Sequence, residues 1–198
     1  MGVRFTEVIK ILDGTFYNLS FHKERMERTT ETFYQFLINT SLKNIQIPKE
    51  FENGLVKCRI SYSKKVETIE YSHYKFRKIK MLKLIDCDDI DYSFKYEDRI
   101  KLNSLLDQKE DCDDILIVKN EFITDTSFSN IVLENKSGLY TPSTYLLAGT
   151  KRNELLNRGV VKEVEIRKRD LKNYSKLYLI NAMIDIEDDV SIDIASIR

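Results

Sequence analysis

Asp13-Gly14 stands between two runs that favour extended backbone, Val3–Leu12 and Phe16–Leu19. A two-residue Asp-Gly step closes an antiparallel hairpin, because both residues tolerate the left-handed backbone that a tight turn between twisted strands demands. The chain is therefore expected to begin as sheet. A helix follows: Met26, Phe33 and Leu37 recur at helical spacing through His22–Leu37, with charged residues between them. Pro48 closes that region. Leu55–Tyr62 and Val66–Phe76 read as two strands joined by Ser63-Lys64-Lys65, and Ile79–Ile85 reads as a third. Up to Ile85 the pattern is a sheet with a helix, an α+β unit.

Asp86–Asp91 is acidic and has no period, which marks a junction. Beyond it Glu97–Lys109 reads as a helix with Ile100, Leu102, Leu105 and Leu106 inward. Asp114–Lys119 reads as a buried strand, Phe122–Ser127 as a polar turn after a second strand, and Ser129–Leu133 as a strand. Gly149-Thr150 opens a helix running to about Arg158, with Gly159 as its C-terminal stop. Val161–Arg167 and Lys176–Ile180 complete the pattern as strands. The expected fold class is α+β, a mixed α/β chain of two parts: an N-terminal α+β domain over 1–87, a junction over 88–94, and a C-terminal domain over 95–198.

Composition removes several function classes. Basic and acidic residues balance at 32 each, so nothing draws the chain to nucleic acid or to an anionic membrane surface. No apolar stretch reaches the length of a membrane span or a signal-peptide core. Cys58, Cys87 and Cys112 are odd in number and widely spaced, which argues against a disulfide framework or a structural zinc site. The expected location is the reducing cytoplasm. His22 and His73 are the only histidines, too few for a histidine metal site, so no metal is expected, and a Ser-His-Asp triad has little to draw on. No phosphate-binding P-loop, dinucleotide fingerprint or nucleophile elbow is present.

Three places remain where chemistry is plausible. In Leu147-Ala148-Gly149-Thr150-Lys151-Arg152, a glycine at a helix entry lets backbone N–H groups face an anion, with the helix dipole favouring negative charge. Asp125, in Ile123-Thr124-Asp125-Thr126-Ser127, offers a carboxylate able to accept a proton from a ring nitrogen. Lys95, between a strand-like run and a helix, offers an amine that partial desolvation would make nucleophilic. Taken singly, each has an ordinary reading as well: a helix start, an Asx-turn, a solvated lysine.

Their order along the chain carries more. His22-Lys23-Glu24-Arg25-Met26, Lys95-Tyr96-Glu97-Asp98-Arg99-Ile100, Asp113-Asp114-Ile115-Leu116, Ile123-Thr124-Asp125 with Ser129-Asn130-Ile131, Tyr140-Thr141-Pro142, Leu147–Arg152 and Ile180-Asn181-Ala182-Met183 resemble, in order, the motifs of the class IV aminotransferase family. These are fold type IV enzymes of pyridoxal 5'-phosphate (PLP), and the lysine and Asn-Ala motifs resemble aminodeoxychorismate lyases most. The resemblance implies a small N-terminal α+β domain and a C-terminal mixed-sheet, barrel-like domain. It implies that Lys95 joins the cofactor covalently, in preference to Lys101 or Lys109, and acts as general base and acid. It implies that Asp125 pairs with the pyridine nitrogen. The cofactor phosphate would be met by Arg25, by Gly149, Thr150 and Lys151, and by Asn181 and Ala182.

The implied reaction is that of a 4-amino-4-deoxychorismate lyase, releasing 4-aminobenzoate and pyruvate for folate biosynthesis. The alternatives are a class IV aminotransferase of the branched-chain or D-amino acid type, and an inactive PLP-binding or interaction relative. Either enzyme takes a small amino substrate, and the resemblance implies a homodimer. Arg59 and Arg99 are candidates for the substrate carboxylate, though for Arg59 a solvated or interface-facing strand residue is the favoured reading. Three departures stand out: Asp125 where the family has glutamate, Ala148 where it has proline, and Lys151 where it has threonine. The family's first strands are also without a match, so part of the usual substrate pocket is expected to be missing or rebuilt.

Overall fold

The computed structural model describes residues 2–198; Met1, the first residue of the expected N-terminal domain, lies outside them. By contact the chain forms two units. One joins the residues up to Lys75 with Phe94–Asp98, and the other joins Phe76–Ser93 with Arg99–Arg198.

The first unit is an antiparallel sheet backed by a helix. Strand β1 (Phe5–Leu12) turns through Asp13 and Gly14, both at positive φ, into the two-residue strand β2 (Thr15–Phe16). The return strand is shorter than the expected Phe16–Leu19, because helix α1 (Leu19–Tyr34) begins at Leu19. The helix also stops short of Leu37. Gln35 turns left-handed, and the Ile38 N–H bonds Thr30 Oγ1 at 3.1 Å, folding the chain back and leaving Leu37 outside the core. β3 (Leu55–Tyr62) and β4 (Val66–His73) complete the order β2-β1-β3-β4. β1 and β3 pair along their full length, from Phe5 opposite Tyr62 to Leu12 opposite Leu55. Phe5, Ile9 and Ile11 of β1, Met26 of α1, and Val56, Cys58, Ile60 and Tyr62 of β3 form the core. Burying such side chains contributes about 1.5–3 kcal/mol each.

The second unit contains two sheets that share a core cluster. β5 (Leu82–Asp86) runs parallel to β6 (Asp114–Lys119), which pairs antiparallel with β7 (Phe122–Thr126). Helix α2 (Ile100–Leu106) joins β5 to β6. β8 (Asn130–Asn135), β9 (Gly138–Pro142), β10 (Lys162–Val164), β11 (Lys176–Ile180) and β12 (Ser191–Asp193) make the second sheet, ordered β10-β9-β8-β11-β12. Helix α3 (Thr150–Asn157) lies between β9 and β10 in the chain. Leu116 and Val118 of β6 pack with Ile131, Leu133, Leu177 and Leu179 of the larger sheet, while Ile115 and Ile117 pack with Leu102 and Leu105 of α2. β6 is buried on both faces, which is why its sequence runs apolar without alternation.

Three local expectations change. Phe122–Thr126 is a strand, not a turn, because pairing with β6 outweighs its turn-forming composition. The turn before it is Asn120-Glu121, both at positive φ, and the turn after it is Ser127-Phe128, closed by Thr126. α2 starts at Ile100 instead of Glu97, whose N–H is on the Arg4 carbonyl at 2.9 Å, and Ile100 is 75% exposed instead of inward. Only Lys162–Val164 of the expected strand Val161–Arg167 joins a ladder. α3 ends as expected, with Gly159 at φ +68 just past it.

Candidate active site

In the first unit, Lys95 is held by its backbone. The Thr6 N–H donates to the Lys95 carbonyl at 2.9 Å, and Tyr96 bridges Phe5, so 95–96 lie along the edge of β1. The Lys95 side chain is half-buried. Arg25 projects from α1, three residues after His22 and so on the same helix face. Its Nε and Nη2 donate to the two oxygens of Glu7 at 2.8 and 2.5 Å. Arg59 is engaged by Glu70, Glu97 and Ser61.

In the second unit the central group is Asp125, on β7 and only 5% exposed. Its Oδ1 accepts from Asn130 Nδ2 at 2.9 Å, and its Oδ2 accepts the N–H groups of Leu146 and Leu147 at 3.1 and 2.9 Å. A carboxylate offers roughly four acceptor directions, so roughly one remains for a further N–H donor. Burial pushes this carboxyl up to about 6, and the three hydrogen bonds and Arg152 hold it back only in part. The group is thus poised to gain from a cationic N–H partner.

The sign of the stability effect follows. The folded pKa lies above the ordinary 3.8, so the folded state holds the proton more tightly than the unfolded chain. The penalty is absent below that ordinary value and fully present above about pH 6. Wild-type protein without cofactor is therefore expected to lose about 2 kcal/mol relative to Asp125→Asn between pH 4 and pH 7. Urea unfolding of both proteins at each pH checks this; a pH-independent difference would contradict it.

Asn130 ties Asp125 to the helix entry. Its Nδ2 also donates to the Leu147 carbonyl at 2.9 Å, and a Cβ added at Gly149 would meet its Oδ1 at 1.8 Å. Glycine is required there by Asn130 instead of by backbone angle, since Gly149 sits at φ −71. Gly149→Ala should cost about 1–3 kcal/mol, because Asn130 must release its partners to make room. An unshifted urea midpoint would show that the side chain moves freely.

Gly149 caps α3, and Thr150 opens it, buried. Lys151 points its ammonium at Asp185 and at Glu154, 3.2 Å away. Arg152, also buried, donates to the Pro142 carbonyl at 2.8 Å, pairs with Glu163 and lies over the Tyr145 ring. Asn181 and Ala182 form a tight turn after β11: the Ile184 N–H bonds the Asn181 carbonyl at 3.1 Å, and Asn181 Oδ1 accepts the Met183 N–H at 2.8 Å. Asn181 Nδ2 reaches the Phe128 carbonyl at 3.4 Å, and Arg99 Nη2 donates to the neighbouring Ser127 carbonyl at 2.5 Å. Within this unit, then, Asp125, the Gly149 entry and the Asn181 turn all join the chain around the β7–β8 turn. Glu7, His22 and Asn130 had no role from sequence reasoning. Asn130 stands in the signature after Asp125, and Glu7 is a charge within the apolar row of β1, so a signal existed for both.

The chemistry of these groups fits PLP: an amine, a buried carboxylate with room for one more donor, and a glycine-led helix entry. Comparison with known proteins agrees. The amino-transferase class IV family model matches residues 96–187, beginning one residue after Lys95. An uncharacterized protein of Haemophilus influenzae is 36% identical over 180 residues, covering 89% of this chain and 96% of that one. A crystal structure from Haemophilus somnus 129PT, provisionally named a 4-amino-4-deoxychorismate lyase, is 34% identical with a TM-score of 0.80. That match covers 91% of this chain and 96% of the other. The branched-chain amino acid aminotransferase of Escherichia coli shares the fold at 11% identity, with a TM-score of 0.73 over 99% of this chain and 77% of that one.

The family match and the likeness over nearly the whole chain define a PLP-dependent enzyme acting on small amino substrates. The chain belongs to the class IV aminotransferase family. No helix among the described residues is long and apolar enough to cross a membrane.

Proposed function

We propose that the protein is a 4-amino-4-deoxychorismate lyase, converting 4-amino-4-deoxychorismate to 4-aminobenzoate and pyruvate. The observation that carries this is its likeness, at 34% identity over nearly all of both chains, to the Haemophilus somnus protein provisionally given that name. When bound, PLP supplies the electron sink. The Lys95 amine holds it and afterwards moves the proton at the substrate. Asp125 would keep the ring nitrogen protonated by accepting a hydrogen bond from its N–H, beside the three it takes from Asn130, Leu146 and Leu147. Arg25, the backbone N–H groups at Gly149 and Thr150, and the Asn181-Ala182 turn bind the phosphate, where charge-assisted bonds are about twice as strong as neutral ones. Lys151 acts there at longer range, its charge being shared with Asp185 and Glu154. The same reading has the protein as a cytoplasmic homodimer feeding folate biosynthesis.

The test is a substrate assay on PLP-loaded protein. Formation of 4-aminobenzoate with an equal amount of pyruvate supports the lyase. Amino transfer between amino acids and 2-oxo acids, with no 4-aminobenzoate, would replace it by the aminotransferase reading. Neither activity, with cofactor bound, would make the chain an inactive relative.

A further inference from the structure

Glu7 is out of place in β1. Phe5, Glu7, Ile9 and Ile11 share one face of the strand by its alternation, and the three apolar members belong to the core against α1. Glu7 is fully buried there. Its carboxylate accepts three hydrogen bonds: two from Arg25, and one from His22 Nδ1 at 2.6 Å on the oxygen that also receives Arg25 Nη2. Burial pushes the Glu7 carboxyl up, but the Arg25 guanidinium and the His22 bond outweigh it and hold it down to about 2. His22 is itself buried, and its desolvation keeps the imidazole below its ordinary range despite Glu7. Because the Glu7 carboxylate can only accept, His22 Nδ1 carries the proton it donates. Its Nε2 has no hydrogen-bond partner.

Stability does not explain such a group. A buried ion pair gains little over apolar residues of the same volume, because desolvating both charges costs several kcal/mol. A Val or Ile at position 7 would continue the apolar row of β1. What the carboxylate adds is geometry: bonds to both Nε and Nη2 fix the plane of the Arg25 guanidinium, and His22 fixes the carboxylate in turn. The same end of β1 holds Lys95 through the Thr6 N–H.

We propose that Glu7, braced by His22, is a positioning residue that sets the Arg25 guanidinium for the phosphate of PLP. The inference rests on the reading of Arg25 as a phosphate ligand. It separates phosphate binding from fold: a correctly aimed Arg25 matters to PLP and not to pyridoxal, which has the same ring and aldehyde but no phosphate.

The experiment compares equilibrium binding of PLP and pyridoxal by absorbance titration for wild type, Glu7→Gln and Arg25→Lys. Arg25→Lys keeps the charge and removes the fork. Both variants are expected to weaken PLP by about tenfold to a hundredfold, with pyridoxal changed by less than about twofold. If Arg25→Lys shows the selective loss and Glu7→Gln does not, the role of Glu7 is overturned while Arg25 stands. Equal loss of both ligands in Glu7→Gln makes Glu7 structural and likewise overturns it. If Arg25→Lys shows no selective loss, the phosphate reading of Arg25 falls and the inference with it. Glu7→Gln leaves a buried cation without its counter-charge, so Glu7→Asp, which keeps the charge and draws it back by one methylene, is carried in parallel. If the Gln variant does not fold, the same selective loss in Glu7→Asp decides the matter.

Discussion

Lys95→Ala, incubated with PLP and reduced with borohydride, is expected to yield no pyridoxyl-lysine peptide, and its turnover to fall by about 10³-fold or more. Two functions depend on that one amine in the proposed mechanism, holding the cofactor and moving the proton, so the loss should exceed that of either alone. Neighbouring lysines are poor substitutes. Lys101 Nζ is paired with Asp89 at 2.7 Å, and Lys109 Nζ donates to the Cys112 carbonyl at 2.8 Å. Wild-type protein treated in the same way should give a single modified peptide spanning Lys95. A pyridoxyl group on another lysine, or turnover retained in the variant, would remove Lys95 from its proposed role. Partial return of turnover on adding a small primary amine would point to the proton-moving step.

The second large effect is expected at Asp125. Asp125→Ala should still take up PLP, because the proposed mechanism puts the covalent link and the phosphate contacts on other residues. Its turnover should fall by about 10²–10³-fold, the usual scale for removing a buried group that stabilises developing charge. Cofactor uptake is read by absorbance and turnover by release of 4-aminobenzoate. Unchanged turnover would leave Asp125 as the structural tie between β7 and the Leu146-Leu147 backbone. The alanine variant also strands the Leu146 and Leu147 N–H donors, at about 1–3 kcal/mol each where buried. Its folding should therefore be checked beside Asp125→Asn, which keeps a hydrogen-bonding group in place.

Much of the fold was legible locally. The Asp13-Gly14 hairpin, the apolar run of β6 and the α3 stop at Gly159 are each set by a few adjacent residues, and each forms where expected. The misreadings share a cause. Phe122–Thr126 has a turn's composition, yet it pairs with β6, and Thr124 Oγ1 donates to the Ile117 carbonyl at 2.7 Å. Glu97 has a helix former's propensity, yet it is bound to Arg4, Arg59 and Ser61, all more than thirty residues away in sequence. Strand β9 was not expected at all, because Gly138–Pro142 becomes a strand only by lying between β8 and β10.

By itself the sequence determined the kinds of chemistry available, an amine at 95, a carboxylate at 125 and a glycine-led helix at 149, together with the family they resemble, because ordered motifs survive without any knowledge of contacts. Only the tertiary structure decided how those groups are held. It placed Lys95 on the edge of β1 through Thr6, surrounded Asp125 with Asn130, Leu146 and Leu147, and showed that Gly149 is glycine because Asn130 fills the space a side chain would need. It also buried Glu7 and closed it onto Arg25 and His22. The reason is physical: alternation and turn chemistry act between neighbours, whereas hydrogen bonds to a buried charge come from wherever folding brings a donor within about 3 Å.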